Sequence, residues 1–214
     1  DDINAIRGQA SGYATLNPIA FYLNSLALSN GNLTCTSNDV NTNEYAFGNM
    51  LLNGRKIYYE FLLDKAPNVP GAVSCRVGIC RNLNGAASEI VIYNGTGNFE
   101  TLGTTDSTGA SDRTYGTGDI IGFAFDCING SVQYFKNGIK VGTKTFTVGT
   151  DDWTPHIRIY VSGGHPAVTT SFNFGQKPFK FTPPDGFQPL NLSNIQPEKV
   201  IARPEQYVDA ITYS

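Results

Sequence analysis

The sequence predicts an all-β protein, a bent antiparallel β-sandwich followed by an extended C-terminal arm. Apolar and polar residues alternate in short runs, Asn-Gly dipeptides separate some of these runs, and helical periodicity is nearly absent. The chain has 214 residues, enough for one large domain or for a domain with an appendage. We divide it into a lead-in (1–10), a sandwich (11–191) and an arm (192–214).

The alternating runs are predicted to be strands because residues two apart in a strand share one face of its sheet. In the first long run, Ile57, Tyr59 and Phe61 fall on one face, whereas Tyr58 and Glu60 fall on the other. The predicted strands, in chain order, are 57–64, 72–80, 89–93, 119–126, 155–161 and 168–174.

Turn residues predict how these strands are joined. Asn129-Gly130 favours a type I′ hairpin, in which both central residues need positive φ, and Asn137-Gly138 marks a second Asn-Gly turn. We expect strands 155–161 and 168–174 to pair with each other around the loop 162–166. Small polar residues in 103–118 are typical of a long surface loop.

Proline and aromatic residues alternate in the segment 177–189. Proline cannot donate a backbone hydrogen bond and is excluded from central strands. We therefore expect this segment to wrap over a sheet and to plug an open end of the sandwich with phenylalanine rings. Beyond it, 193–206 is interpreted as an extended arm, and 207–214 as a strand that pairs outside the domain.

Charge and composition argue against several classes of function. The net charge is −3 and only 15% of residues are charged, so no broad positive field attracts nucleic acid. No apolar run is long enough for membrane insertion. Four cysteines are interpreted as buried free thiols, and Cys75 and Cys80 are expected on opposite faces of one strand.

Catalytic, cofactor and metal motifs are missing from the sequence. The two histidines, His156 and His165, have no nucleophile-elbow motif near them, and His156 is expected to be a satisfied structural residue. Zinc-type cysteine spacing, calcium-loop spacing and phosphate-binding loops are absent. We expect no enzyme activity, no cofactor and no bound metal.

Five blocks of the sequence together resemble a SPRY domain. They are SNGNLT at 29–34, GRKIYYEFLLD at 54–64, VGIC at 77–80, GDIIGFAFDCINGSVQYFKNG at 118–138 and FNFGQKPFKFTPPDGFQPLN at 172–191. The resemblance implies a sandwich of the concanavalin or jelly-roll type that presents loops at one rim. It further implies binding of protein partners through those loops, without enzymatic activity.

Three loops, 81–87, 94–103 and 162–167, correspond to that rim. We predict that one contact surface is formed by Asn82, Tyr93, Asn94, Phe99, Tyr115 and His165. Aromatic side chains give a large contact area at low entropic cost. The alternative is that Tyr93 and Phe99 only close the edge of the sandwich, since most aromatic residues are buried.

The tail ARPEQYVDAITYS at 202–214 resembles segments of bacteriophage virion proteins. The leading hypothesis is therefore a non-enzymatic virion protein of a fibre, tail or capsid surface, assembled in the host cytoplasm. Its partners would be other virion proteins, copies of itself and a host-surface protein or glycan. The predicted assembly residues of the arm are Arg203, Tyr207, Ile211 and Tyr213.

Two alternatives predict different sites. A cytoplasmic SPRY adaptor of a cell would bind a peptide through the same rim. A carbohydrate-binding or hydrolytic β-protein would stack a sugar on Trp153, the only tryptophan, although we expect this ring to be a buried plug.

Overall fold

Two antiparallel β-sheets packed face to face form the described part of the protein, as the sequence predicts. The computed structural model describes residues 12–19, 26–37, 41–66, 73–83, 88–108 and 110–192. These residues contain fourteen strands and one short 3₁₀ turn, Ala110–Arg113. No helix in the described ranges is long and apolar enough to cross a membrane.

The strands have the following bounds. They are β1 Ala27–Ser29, β2 Thr34–Ser37, β3 Asn43–Phe47, β4 Lys56–Lys65, β5 Val73–Arg81, β6 Glu89–Tyr93, β7 Phe99–Thr101, β8 Thr104–Asp106, β9 Ile120–Asp126, β10 Ser131–Lys136, β11 Ile139–Thr145, β12 Trp153–Val161, β13 Val168–Asn173 and β14 Gln188–Pro189.

The strands are distributed between an eight-stranded and a six-stranded sheet. The first sheet has the order β1-β2-β13-β4-β9-β10-β11, with β14 beside β4. The second has the order β3-β12-β5-β6-β7-β8. All neighbours are antiparallel except β14, which runs parallel to β4 along Ile57 and Tyr58.

Aromatic rings fill much of the space between the sheets. Tyr59 of β4 stacks on Phe123 of β9, and its hydroxyl donates a hydrogen bond to Gly78 O across the sandwich at 2.5 Å. Trp153 is fully buried against Phe125 and Phe146, which confirms that this ring is a plug at a strand start. Burial of such rings is among the largest apolar contributions to a core.

Both predicted hairpins are present, but they use different turns. Asn137 and Gly138 have φ of 50° and 82° between β10 and β11, as a two-residue type I′ turn requires. The type I′ prediction for Asn129-Gly130 is wrong, because only Gly130 has a positive φ and the connection contains four residues, 127–130. The Asp126 carboxylate forms this turn by accepting the backbone N–H groups of 128 and 129, both at 3.0 Å.

Two further predictions are wrong in detail. The strands β12 and β13 do not pair, because the loop between them passes from the six-stranded to the eight-stranded sheet. The segment 103–118 is not only a surface loop, since it contains β8 and the 3₁₀ turn. Arg113 of that turn is buried, with its guanidinium 4.1 Å from the centre of the Phe99 ring.

The segment 177–181, here called the strap, lies on the outer face of the eight-stranded sheet. The Glu60 carboxylate of β4 accepts the backbone N–H groups of Lys180 and Phe181, each at 2.9 Å. The Phe179 ring packs edge-on against Tyr58, with 4.9 Å between ring centres. The wrapping was predicted, but the expected plug at an open end is wrong, because these rings are half-buried on the sheet's outer surface.

The four cysteines are buried free thiols, as predicted. Cys75 lies in the main core, whereas Cys80 packs with Phe47 on the opposite face of the six-stranded sheet. Burial raises the pKa of the Cys35 thiol to about 12. This thiol is therefore held in the protonated, unreactive form at neutral pH.

The lead-in 1–10 and the predicted assembly residues Arg203, Tyr207, Ile211 and Tyr213 lie outside the described residues.

Candidate functional site

The loops predicted to share one rim lie at two opposite ends of the sandwich. β5 and β12 pair over nine residues, from Trp153 opposite Arg81 to Val161 opposite Val73. Asn82 follows β5 and His165 follows β12, so the two side chains are separated by the length of the strands, about 25 Å at the usual rise per residue. The prediction of one contact surface is therefore wrong.

Three of the residues predicted to contact a partner are buried. Phe99 is 1% exposed and Tyr115 5% exposed, while Asn94 is also buried. The Phe99 ring lies 4.6 Å from that of Tyr134, and the Tyr115 hydroxyl donates to Cys75 O at 2.8 Å. Asn94 accepts the N–H of Cys75. These side chains close the sandwich and do not reach a partner.

Tyr93 and His165, which are partly exposed, belong to the end near Val161 and Val73. The Tyr93 ring is contacted by the Arg76 guanidinium, 4.9 Å from the ring centre.

At the opposite end, Asn82 lines a surface depression of about 380 Å³, here called the rim depression. Its lining residues come from four separate segments of the chain: Asn17, Gly48, Asn49, Leu51, Asn82, Leu83, Asp152 and Thr154. Five of these eight residues are polar, so the depression is a concave surface of mixed polar and apolar character, more polar than most small-molecule pockets.

Asparagine side chains hold these segments together by imitating backbone hydrogen bonds. Asn82 donates to the Asp151 carboxylate at 2.8 Å and accepts the N–H of Asp152 at 2.9 Å. Asn49 accepts the N–H of Thr15, and Asn53 accepts the N–H of Trp153, both at 2.9 Å. Bonds of this kind fix loop backbone without a regular strand. The depression is therefore preformed.

Two leucine side chains at this end are exposed to solvent. Leu51 is 43% and Leu83 40% exposed. Leu83 has a φ of +53° and follows Asn82 at +52°, so a bulky residue occupies the left-handed region next to another non-glycine residue. This conformation costs about 1–2 kcal/mol for an L-residue, and such strain is concentrated at functional sites.

The floor of the depression contains a polar atom without a partner. Thr154 is 4% exposed, and its Oγ1 has no hydrogen-bond partner among the described residues. Buried hydroxyl groups are normally hydrogen-bonded, so this unpaired one is an exception, and its oxygen is itself shielded from solvent.

A network of charged residues lies elsewhere, on the outer face of the six-stranded sheet. His156 Nε2 is 2.9 Å from Glu89 Oε2, and the Arg158 guanidinium pairs with both Glu89 and Glu100. Arg76 pairs with Glu100 at 3.3 Å. Burial raises the pKa of Glu100, the Arg76 charge opposes that shift, and the Glu89 carboxylate adds to it.

This network is structural in its contacts. Its residues tie β12 to β5, β6 and β7, and His156 and Glu89 have no exposed side-chain surface. His156 is only half satisfied, since its Nδ1 has no partner within the described ranges. The described residues contain no group of three or more His, Cys, Asp or Glu side chains able to hold a metal ion.

Comparison with known proteins supports the fold. No family model matches the chain, and no curated protein matches its sequence. Among solved structures, the SPRY domain of human HERC1 superposes with a TM-score of 0.58 and 17% identity. The match covers 72% of this chain and 94% of that domain. The chain therefore has the fold of a SPRY domain, as its sequence resemblance implied.

The left-handed backbone conformation of Leu83 should lower the stability of the folded protein. We expect Leu83→Gly to raise the free energy of unfolding by up to about 1 kcal/mol, because glycine relieves the left-handed strain. The matched change Leu51→Gly, at a similarly exposed leucine without a positive φ, should lower it by about 1 kcal/mol, because glycine adds conformational freedom to the unfolded chain. Urea unfolding followed by Trp153 fluorescence measures both. Equal destabilisation by the two changes would show that no strain is stored at Leu83.

Proposed function

We propose that this chain is a non-enzymatic protein-interaction module that binds a segment of a partner protein in the rim depression. The observation that carries the proposal is the exposed pair Leu51 and Leu83 beside a preformed depression. The SPRY fold is compatible with this function, although a fold alone does not identify a ligand.

The rim depression offers both apolar and polar contacts to a partner. An apolar side chain of the partner would cover Leu51 and Leu83, and removal of this surface from water is favourable by roughly 25 cal/mol per Å². Polar contacts come from the exposed side chains of Asn49 and Asp152, which also line the depression. Because the walls are held by asparagine side chains, binding requires little ordering of the module.

The test uses peptides selected on the full chain from a random 12-residue display library. We expect the selected peptides to lose at least tenfold in affinity on Leu83→Asp and on Leu51→Asp, because the charge prevents apolar contact. The control is Ile139→Asp on β11, where the exposed isoleucine does not line the rim depression. Unchanged affinity for both leucine variants would contradict the proposal.

We further propose that the module works in a bacteriophage virion, on a fibre, a tail or the capsid surface. The support is the resemblance of 202–214 to virion proteins and the low-charge surface of the chain. In a symmetric assembly, a weak rim contact repeated many times gains avidity without new contacts. The arm would join the module to other virion proteins or to copies of itself, and the rim would contact a host-surface protein or glycan.

The arm proposal is tested by light scattering on the full chain and on a chain ending at Asn191. We expect a defined oligomer from the full chain and a folded monomer from the shorter one, since the arm supplies the assembly contact. A full-length chain with Tyr207, Ile211 and Tyr213 changed to Ser is the matched control and should also be monomeric. Monomers from both original chains would instead favour a stand-alone cytoplasmic adaptor.

The alternative of a carbohydrate-binding protein depended on Trp153 as an exposed stacking ring. Trp153 has no exposed surface, so a sugar cannot stack on it.

A further inference from the structure

A second candidate binding surface lies on the outer face of the eight-stranded sheet. It shares no lining residue with the rim depression. Outward-facing residues of β4 form successive rows at Tyr58, Glu60 and Leu62. The strap covers the first two rows, since Phe179 packs on Tyr58 and the strap backbone is bonded to Glu60. It leaves the third row open to solvent.

The open row forms a groove of about 280 Å³, here called the strap groove, between the sheet and the strap. Leu62 of β4 lies directly opposite Ile120 of β9 and Ser171 of β13, and all three are half-buried. Pro178 and Phe179 of the strap form the facing wall. The groove therefore has an apolar floor and an apolar wall.

The wall is fixed in place before any ligand arrives. Glu60 accepts two backbone N–H groups from the strap and the Tyr58 hydroxyl at 3.3 Å. Asn173 of β13 donates to Pro178 O at 3.3 Å, which holds the other end of the strap. A rigid wall lowers the entropic cost of binding.

The charges around the groove are unbalanced. Lys177 and Lys180 line it, are exposed, and have no ion-pair partner among the described residues. The Glu60 carboxylate is buried and already occupied by three hydrogen bonds. Asp64, at the far side, accepts a hydrogen bond from Ser171. The strap side of the groove therefore presents two exposed ammonium groups without an ion-pair partner, against one buried carboxylate, Glu60, in the lining.

We propose that the strap groove binds a short segment of a partner protein in which an apolar side chain is flanked by aspartate or glutamate residues. The apolar side chain covers Leu62 and Ile120, and the flanking carboxylates pair with Lys177 and Lys180. This surface shares no lining residue with the rim depression, so it provides a second, independent contact. It goes beyond the function proposed above and does not depend on it.

The test is an NMR titration of the ¹⁵N-labelled full chain with the synthetic peptide Asp-Asp-Leu-Phe-Asp-Asp. We expect saturable shifts of the amides of Leu62, Ile120 and Phe179, weakened by added salt because exposed charges are screened. Two comparison peptides, Lys-Lys-Leu-Phe-Lys-Lys and Asp-Asp-Ser-Ser-Asp-Asp, should bind at least tenfold more weakly, since each lacks one part of the recognition.

Charge-reversal variants distinguish binding in the strap groove from general electrostatic attraction of the acidic peptide. Lys180→Glu should weaken binding of the acidic peptide at least tenfold, whereas the matched change Lys140→Glu on β11, which does not line the groove, should leave it unchanged. The proposal is overturned if the peptide gives no saturable shifts, if both variants behave alike, or if the shifts map to Leu51 and Leu83 instead. It is overturned equally if the basic peptide binds as well as the acidic one.

Discussion

The buried carboxylate of Glu60 is the constraint on which the outer face of the eight-stranded sheet depends. Glu60 lies in the middle of β4 and is 4% exposed. A buried carboxylate is costly unless hydrogen bonds replace its water. The strap supplies two backbone N–H groups and Tyr58 supplies a hydroxyl. The same contacts therefore cover the sheet and hydrogen-bond the Glu60 carboxylate.

Two glycines lie close to aromatic rings on this face of the sheet. The Tyr58 hydroxyl lies 2.4 Å from a Cβ built on Gly122, so a larger residue there would require the Tyr58 ring to shift. The Phe181 ring likewise lies 2.5 Å from a Cβ built on Gly138, at the tip of the β10–β11 hairpin. The strap therefore contacts β4 and the tip of the β10–β11 hairpin, and it forms one wall of the groove. The six-stranded sheet covers its own outer face differently, with ion pairs among its strands.

Local patterns predicted the strands well, and long-range partners poorly. β4 and β9 follow from alternation over seven or more residues, and Asn137-Gly138 predicts its turn because positive φ favours those residues. The hairpin at Asn129 was assigned the wrong turn, because the Asp126 carboxylate stabilises a four-residue connection there. A side chain that reaches neighbouring backbone overrides a dipeptide preference.

For the candidate sites too, the sequence predicted local features better than contacts between distant residues. Asn82 was found in the sequence, but Leu83 and Leu51 were not, since exposure of an apolar residue depends on what covers it. Phe99 and Tyr115 were expected on the surface because they lie in or near polar segments, yet both point into the core. The opposite positions of Asn82 and His165 follow from the pairing of β5 with β12, which no local pattern records. The strap groove depends on contacts between residues about 120 positions apart.

The most direct measurement is hydrogen exchange at the amides of Lys180 and Phe181, in the native protein and in Glu60→Ala. If Glu60 holds the strap, both amides are protected in the native protein and lose that protection in the variant, while the amides of Phe123 and Tyr134 stay protected. Rapid exchange at both strap amides in the native protein, or equal protection in the variant, would contradict the account.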